Sequence, residues 1–165
     1  MAFLARGIDQ KRWYAAIGAR ADPLPADPLG DLKTTDDILS VWEVPVNLSN
    51  LEDIVTGIAA KRQAIEAFDI AWIDEADVSA LGVEIQTSPG DSLLAHVNGD
   101  HRQLVNLKAE TLVAIADRIR HTENFRDFSK REIGELMAKA IGLGHLSVAQ
   151  LKEKARKYLE KHDLA

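Results

Sequence analysis

Cysteine is absent from the 165 residues. That excludes disulfides, thiolate metal sites, cysteine nucleophiles and thiol redox sensing together. It also fits a reducing compartment, and the expected location is the cytoplasm. No apolar run approaches the ~20 residues of a membrane-spanning helix, so no membrane association is expected. Phosphate-cradling loops are missing: neither GxGxxG nor GxxxxGK[ST] occurs, and Gly142-Leu143-Gly144 reads as a helix end, not a strand-to-helix turn. No GxSxG elbow is present. Ser88, Ser92 and Ser129 sit in turn or cap contexts that account for them. Internal repeats, low-complexity segments and long linkers are lacking too.

What remains is an ordinary globular composition, 46% hydrophobic and 28% charged. It argues for a single domain over residues 1–165 that buries about 70% of its unfolded surface. Charge is unevenly spread. Residues 1–117 hold 9 basic and 19 acidic residues, whereas 118–165 hold 11 and 7, within a net charge of −6. An acidic body with a mildly basic tail argues against nucleic-acid binding by the whole surface and leaves the tail open to it.

The chain divides into three stretches. Residues 1–37 read as an N-terminal helix followed by a loop containing Pro23, Pro25, Pro28 and Gly30. Arg6, Lys11, Arg12 and Arg20 would suit a targeting segment, but Asp9 interrupts them and serine is missing, so a docked helix is preferred. Residues 38–105 read as the α/β core. Ile38–Val46 and Asp69–Glu75 form buried strands, joined by a helix from Ser49 to about Phe68. A capping box, Ser49-Asn50-Leu51-Glu52, starts that helix. This β-α-β unit predicts parallel strands with a right-handed crossover. Leu81–Thr87 and Leu93–Val97 are read as two further strands, paired as a hairpin across Ser88–Ser92.

Residues 107–165 read as helical. Asn106 is placed to cap one helix, and Ser129-Lys130-Arg131-Glu132 and Ser147-Val148-Ala149-Gln150 form two further capping boxes. Phe128 with Ile133, and Leu146 with Leu151, are placed as hydrophobic staples. The expected fold is therefore α+β, or small α/β: a short mixed sheet with one β-α-β unit and a helical C-terminal third ending in an α-α hairpin.

Three constellations could carry chemistry. Glu43, Asp74 and Glu75, with Asp77, fall at strand exits, where carboxylates of an open α/β sheet can hold Mg²⁺. His96 and His101, with Asp91 and Asp100, put two imidazoles near carboxylates, a set suited to zinc or acid–base work. The competing explanation for both is structural, as solvated acids, caps and a satisfied strand histidine. His121, His145 and His162 stand alone. Lys152, Lys154, Arg156, Lys157 and Lys161 line the last helix and could enter a DNA groove. However, Glu153 and Glu160 on the same helix favour a solvated, salt-bridged face.

The reading these features favour is a non-enzymatic acidic protein that acts by binding a protein partner or another copy of itself, such as an accessory, inhibitor or immunity-type protein. No cofactor is expected. The alternatives are nucleic-acid binding through the C-terminal helices and metal-dependent hydrolysis at the strand ends.

Overall fold

The computed structural model describes residues 2–9, 12–13, 24 and 26–164, and its centre is an antiparallel sheet. In chain order come β1 (Ala2–Ile8), a 3-10 turn (Asp27–Asp31), β2 (Leu39–Pro45), α1 (Leu51–Ala60), β3 (Phe68–Asp74) and α2 (Glu75–Ala80). They are followed by β4 (Glu84–Thr87), a 3-10 helix (Ala95–Asp100), β5 (His101–Val105), α3 (Ala109–His121) and β6 (Phe125–Phe128). Helix α4 (Lys130–Gly142), a 3-10 turn (Val148–Gln150) and α5 (Glu153–Lys161) complete the α+β fold. The strand order is β4-β5-β2-β1-β3-β6.

Every neighbouring pair in the sheet is antiparallel, which replaces the mixed sheet expected from sequence. The β2-α1-β3 unit exists, but its strands are not neighbours. Both pair antiparallel with β1, so they run in the same direction with β1 inserted between them. The sequence pattern identified the unit and could not show that the N-terminus splits it.

The inserted strand is also the main departure in the N-terminal stretch. Ala2–Ile8 is a strand, not the start of a helix. Ala, Leu and Arg favour helix intrinsically, but propensity yields when a segment gains two strand partners and burial on both sides. Leu4, Ala5 and Ile8 are buried. The rest of the expected helix falls largely on residues 14–20, and the start of the expected loop on 21–23, all of which lie outside the described residues.

Alternation along the strands sorts the core into two layers. Ala5, Val44, Phe68, Ile70 and Trp72 face α1, α4 and α5, packing with Ile54, Val55, Ile133, Met137 and Leu159. Leu4, Ile8, Leu39, Val41, Ala71 and Ile73 face the opposite way, against Val78 of α2, Ile115 and Ile119 of α3, and the buried Trp13 and Leu32. Helices therefore cover both faces of the sheet.

Several local expectations shift. Leu93–Val97 is no strand: Leu94 and Val97 are buried at and within the 3-10 helix, and the hairpin partner of β4 is β5 instead. Helix α1 stops at Ala60, not Phe68. Its N-cap is Asn50 without a side-chain cap bond, so Ser49-to-Glu52 is not a working capping box. Lys108, not Asn106, is the N-cap of α3. Asn106 turns the chain at φ 56°, a left-handed conformation that asparagine tolerates better than most residues. Strand β6 was not expected in the helical third.

Of the two C-terminal capping signals, the first performs as read and the second is displaced from the last helix. Ser129 and Glu132 form a reciprocal capping box at the start of α4, with Phe128 and Ile133 fully buried beside it. Ser147 and Gln150 do the same, but they cap the 3-10 turn and α5 begins only at Glu153. Gly144 closes α4 at φ 74°, where glycine carries no Cβ penalty. Helices α4 and α5 touch, giving the expected α-α hairpin.

Candidate binding cleft

The acidic set does not converge. Glu43 pairs with Arg102 of β5 at 2.6 Å. Asp74 spends its side chain on the backbone N–H of Ala76, capping α2, and Glu75 and Asp77 stand in the first turn of that helix. Nor do His96 and His101 meet in one site. His101 is buried, its Nδ1 donates to the carbonyl of Ser88 at 2.7 Å, and its ring meets Trp42 edge-on at 5.1 Å. His96 lies across from Asp53 of α1 at 3.0 Å and against the His145 ring at 4.7 Å. Asp91 pairs with Lys61, whose hydrogen bond lowers its carboxyl below the ordinary range, and Asp100 accepts from Asn50. Among the described residues, no group of three or more His, Asp or Glu is placed to hold a metal.

Lys152, the N-cap of α5, and Lys154, Lys157 and Lys161 on it are exposed, and Arg156 is half-buried. Lys157 is already paired with Glu153 at 2.6 Å. Residues 143–152 separate α4 from α5, more than the three or four that join a helix-turn-helix. Among the described residues, no helix is long and apolar enough to cross a membrane.

The feature sequence reasoning missed lies in the sheet itself. The β1–β2 ladder runs from Ala2 opposite Pro45 to Ala5 opposite Trp42 and then stops. On its other side β1 stays paired with β3 as far as Ile8 opposite Asp69. Strand β2 likewise stays paired with β5 as far as Leu39 opposite Leu104. Residues 6–8 and 39–41 are therefore neighbours in strand order without a ladder between them. The sheet forks, and the fork opens a cleft of about 620 Å³, within the range of small-molecule sites.

Arg6 holds the fork. Its Nη1 donates to the carbonyl of Ser40 at 2.6 Å, across the gap where ladder bonds would otherwise run. Its Nε and Nη2 both donate to the carbonyl of Asp31, at 3.2 and 2.9 Å. Asp31 is equally committed. One oxygen accepts from Arg12 and the other from the backbone N–H of Asp9 and the buried indole of Trp13, at 2.8 and 2.7 Å. Burial lowers the Arg6 guanidinium from its ordinary range, with Asp31 partly offsetting it. It remains cationic at neutral pH, as arginine does in proteins.

On the α1 side the walls are Gly7, Ser40, Trp42, Ile58 and Phe68, with Arg62 and Ala67 from the chain after α1. Gly7 is required for a steric reason: a Cβ there would lie 2.8 Å from Cζ of Phe68. Arg62 lies over the Phe68 ring at 4.5 Å. Burial lowers its guanidinium too, and Glu66 opposes the shift. Asp9 and Asp69 complete the rim. One signal in the sequence pointed here, an arginine among apolar residues in AFLARGI, but it is legible only once that segment is known to be a central strand.

No family model, curated protein or solved structure matches this chain. The geometry and chemistry of the cleft must therefore carry the functional assignment.

Proposed function

We propose that this protein acts by binding, and that the fork between β1 and β2 is where it takes its ligand. The single observation behind this is the loss of pairing between two neighbouring strands in the middle of a sheet. Ladder hydrogen bonds there are replaced by one arginine and an open volume. Leaving central strands unpaired forgoes backbone hydrogen bonds, and a binding role gives that sacrifice a purpose. The expected class, a non-enzymatic binding protein, is kept; the occupant changes from a protein partner to a small molecule, which the cleft's volume suits better.

The test is a fragment screen by thermal shift on the wild-type chain and on Ala67→Trp, which fills the cleft from its exposed rim. Ligands of the folded state raise the melting temperature in a concentration-dependent way. Cleft ligands are expected to stabilise the wild type and to lose that effect in Ala67→Trp. Hits that stabilise both proteins equally would place the binding surface elsewhere.

A further inference from the structure

Each charged group in the cleft can be asked what hydrogen bonds it still has to give. Arg6 donates to the carbonyls of Asp31 and Ser40 from all three of its nitrogens. Asp31 accepts from three donors. Asp9 pairs with Arg12, and Asp69 is engaged as well. Arg62 differs. Its guanidinium sits over the Phe68 ring and feels the charge of Glu66, and among the described residues nothing accepts a hydrogen bond from it. Ser40 likewise shows no side-chain hydrogen bond, and its position in β2 puts its hydroxyl on the same face as Trp42 and α1.

A half-buried guanidinium seated over an aromatic ring keeps its donor fork unused. That is the arrangement that receives a planar oxyanion through two parallel N–H bonds. The neighbouring walls are apolar: Trp42, Ile58 and Phe68. Asp9 and Asp31 are offset by Arg12 and Arg6, so the count of free donors limits the guest: Arg62 and Ser40 satisfy the two oxygens of a carboxylate, whereas a phosphate would leave an oxygen unpaired against apolar walls.

Resting on the cleft reading above, we propose that the ligand is a small organic acid: a flat apolar body lying between Trp42, Ile58 and Phe68, with one carboxylate on the Arg62 guanidinium and the Ser40 hydroxyl. Arg62 is the residue that reads the charge. Arg6 is a positioning residue that holds the two strands apart and tied.

Four probes of nearly one shape test this: benzoate, neutral benzamide, cationic benzamidine and doubly charged phenyl phosphate. Each is titrated into the full chain while the backbone amides of Gly7, Ser40 and Phe68 and the indole of Trp42 are followed by NMR. Benzoate is expected to shift these signals with a dissociation constant on the order of a millimolar, the level set by the efficiency of so small a ligand. Benzamide and benzamidine should bind about ten-fold more weakly or worse, the difference a charge-assisted pair makes. Phenyl phosphate should also fall below benzoate.

Arg62→Gln, whose fold is checked by circular dichroism, should bring benzoate down to the level of benzamide and leave benzamide unchanged. Benzamide, benzamidine or phenyl phosphate matching benzoate at these signals would overturn the carboxylate assignment and leave the cleft reading standing. The same holds if Arg62→Gln binds benzoate as well as wild type does. Probes that shift no cleft signal at tens of millimolar would overturn both readings.

Discussion

Strand β1 has two seams, and they behave differently. Toward β3 it is paired from Phe3 to Ile8. Toward β2 it is paired only from Ala2 to Ala5. Both seams start from the same strand with the same burial at its middle, so backbone propensity cannot separate them. What separates them is what enters the gap. The β3 seam is closed by its ladder, whereas the β2 seam is held by one guanidinium bonded to Ser40 and Asp31. A sheet can therefore open in its interior where a side chain supplies hydrogen bonds across the gap.

The largest effect should come from removing that side chain. Arg6→Ala orphans carbonyls in the fork and takes away three hydrogen bonds, which predicts a loss of about 3 kcal/mol in urea unfolding. A loss under about 1 kcal/mol would mean that the fork stands without its tie. Next is the closed seam. Gly7→Ala drives a methyl into Phe68, an overpacking cost of about 2 kcal/mol. Phe68→Leu in the same chain should recover part of that loss, and a double-mutant cycle reads the coupling between the two residues. Independent, additive effects would break the steric explanation.

Away from the fork the effects are smaller and of a different kind. Ser129→Ala removes an N-cap from α4 and should cost about 1 kcal/mol, with no change in cleft binding. The cap also sets a pH dependence. The hydroxyl and backbone N–H of Ser129 lower the Glu132 carboxyl below the ordinary glutamate range. Its stabilisation is therefore fully present above that ordinary range and fades as pH falls through the lowered folded value. Stability curves of wild type and Ser129→Ala should converge toward acid; curves that stay parallel would contradict this. Back at the cleft, and smallest of all, Arg62→Gln should cost about 0.5 kcal/mol of stability, because it gives up the cation–π contact with Phe68 and, among the described residues, no hydrogen bond. Its main effect should appear in ligand affinity.

The parts of this fold that could be read from sequence are those where a local rule and the tertiary answer agree. The buried runs around Val41–Val44 and Ile70–Ile73 match a strand buried on both faces, and Ser129 caps the helix it was expected to cap. Where tertiary pairing overrode local preference, the reading failed. Ala2–Ile8 has a helix former's composition and becomes the strand that splits the β-α-β unit. His101–Val105 and Phe125–Phe128 are short and largely polar, and they become strands by pairing with β2 and β3. The candidate sites failed for a related reason. Glu43 and Asp74 were grouped by their place at strand exits, and His101 and Lys157 with their sequence neighbours, whereas each has its own nearby partner in space. The cleft draws Arg6, Ser40, Arg62 and Phe68 from four separate stretches, so no motif could have announced it.

The most direct test is native mass spectrometry of the chain purified gently from its own host, beside Ala67→Trp prepared in the same way. A ligand site at the fork predicts a reproducible added mass of hundreds of daltons on the wild type that Ala67→Trp lacks. An added mass in the thousands, retained by Ala67→Trp, would show a macromolecular partner bound away from the fork and would contradict the account.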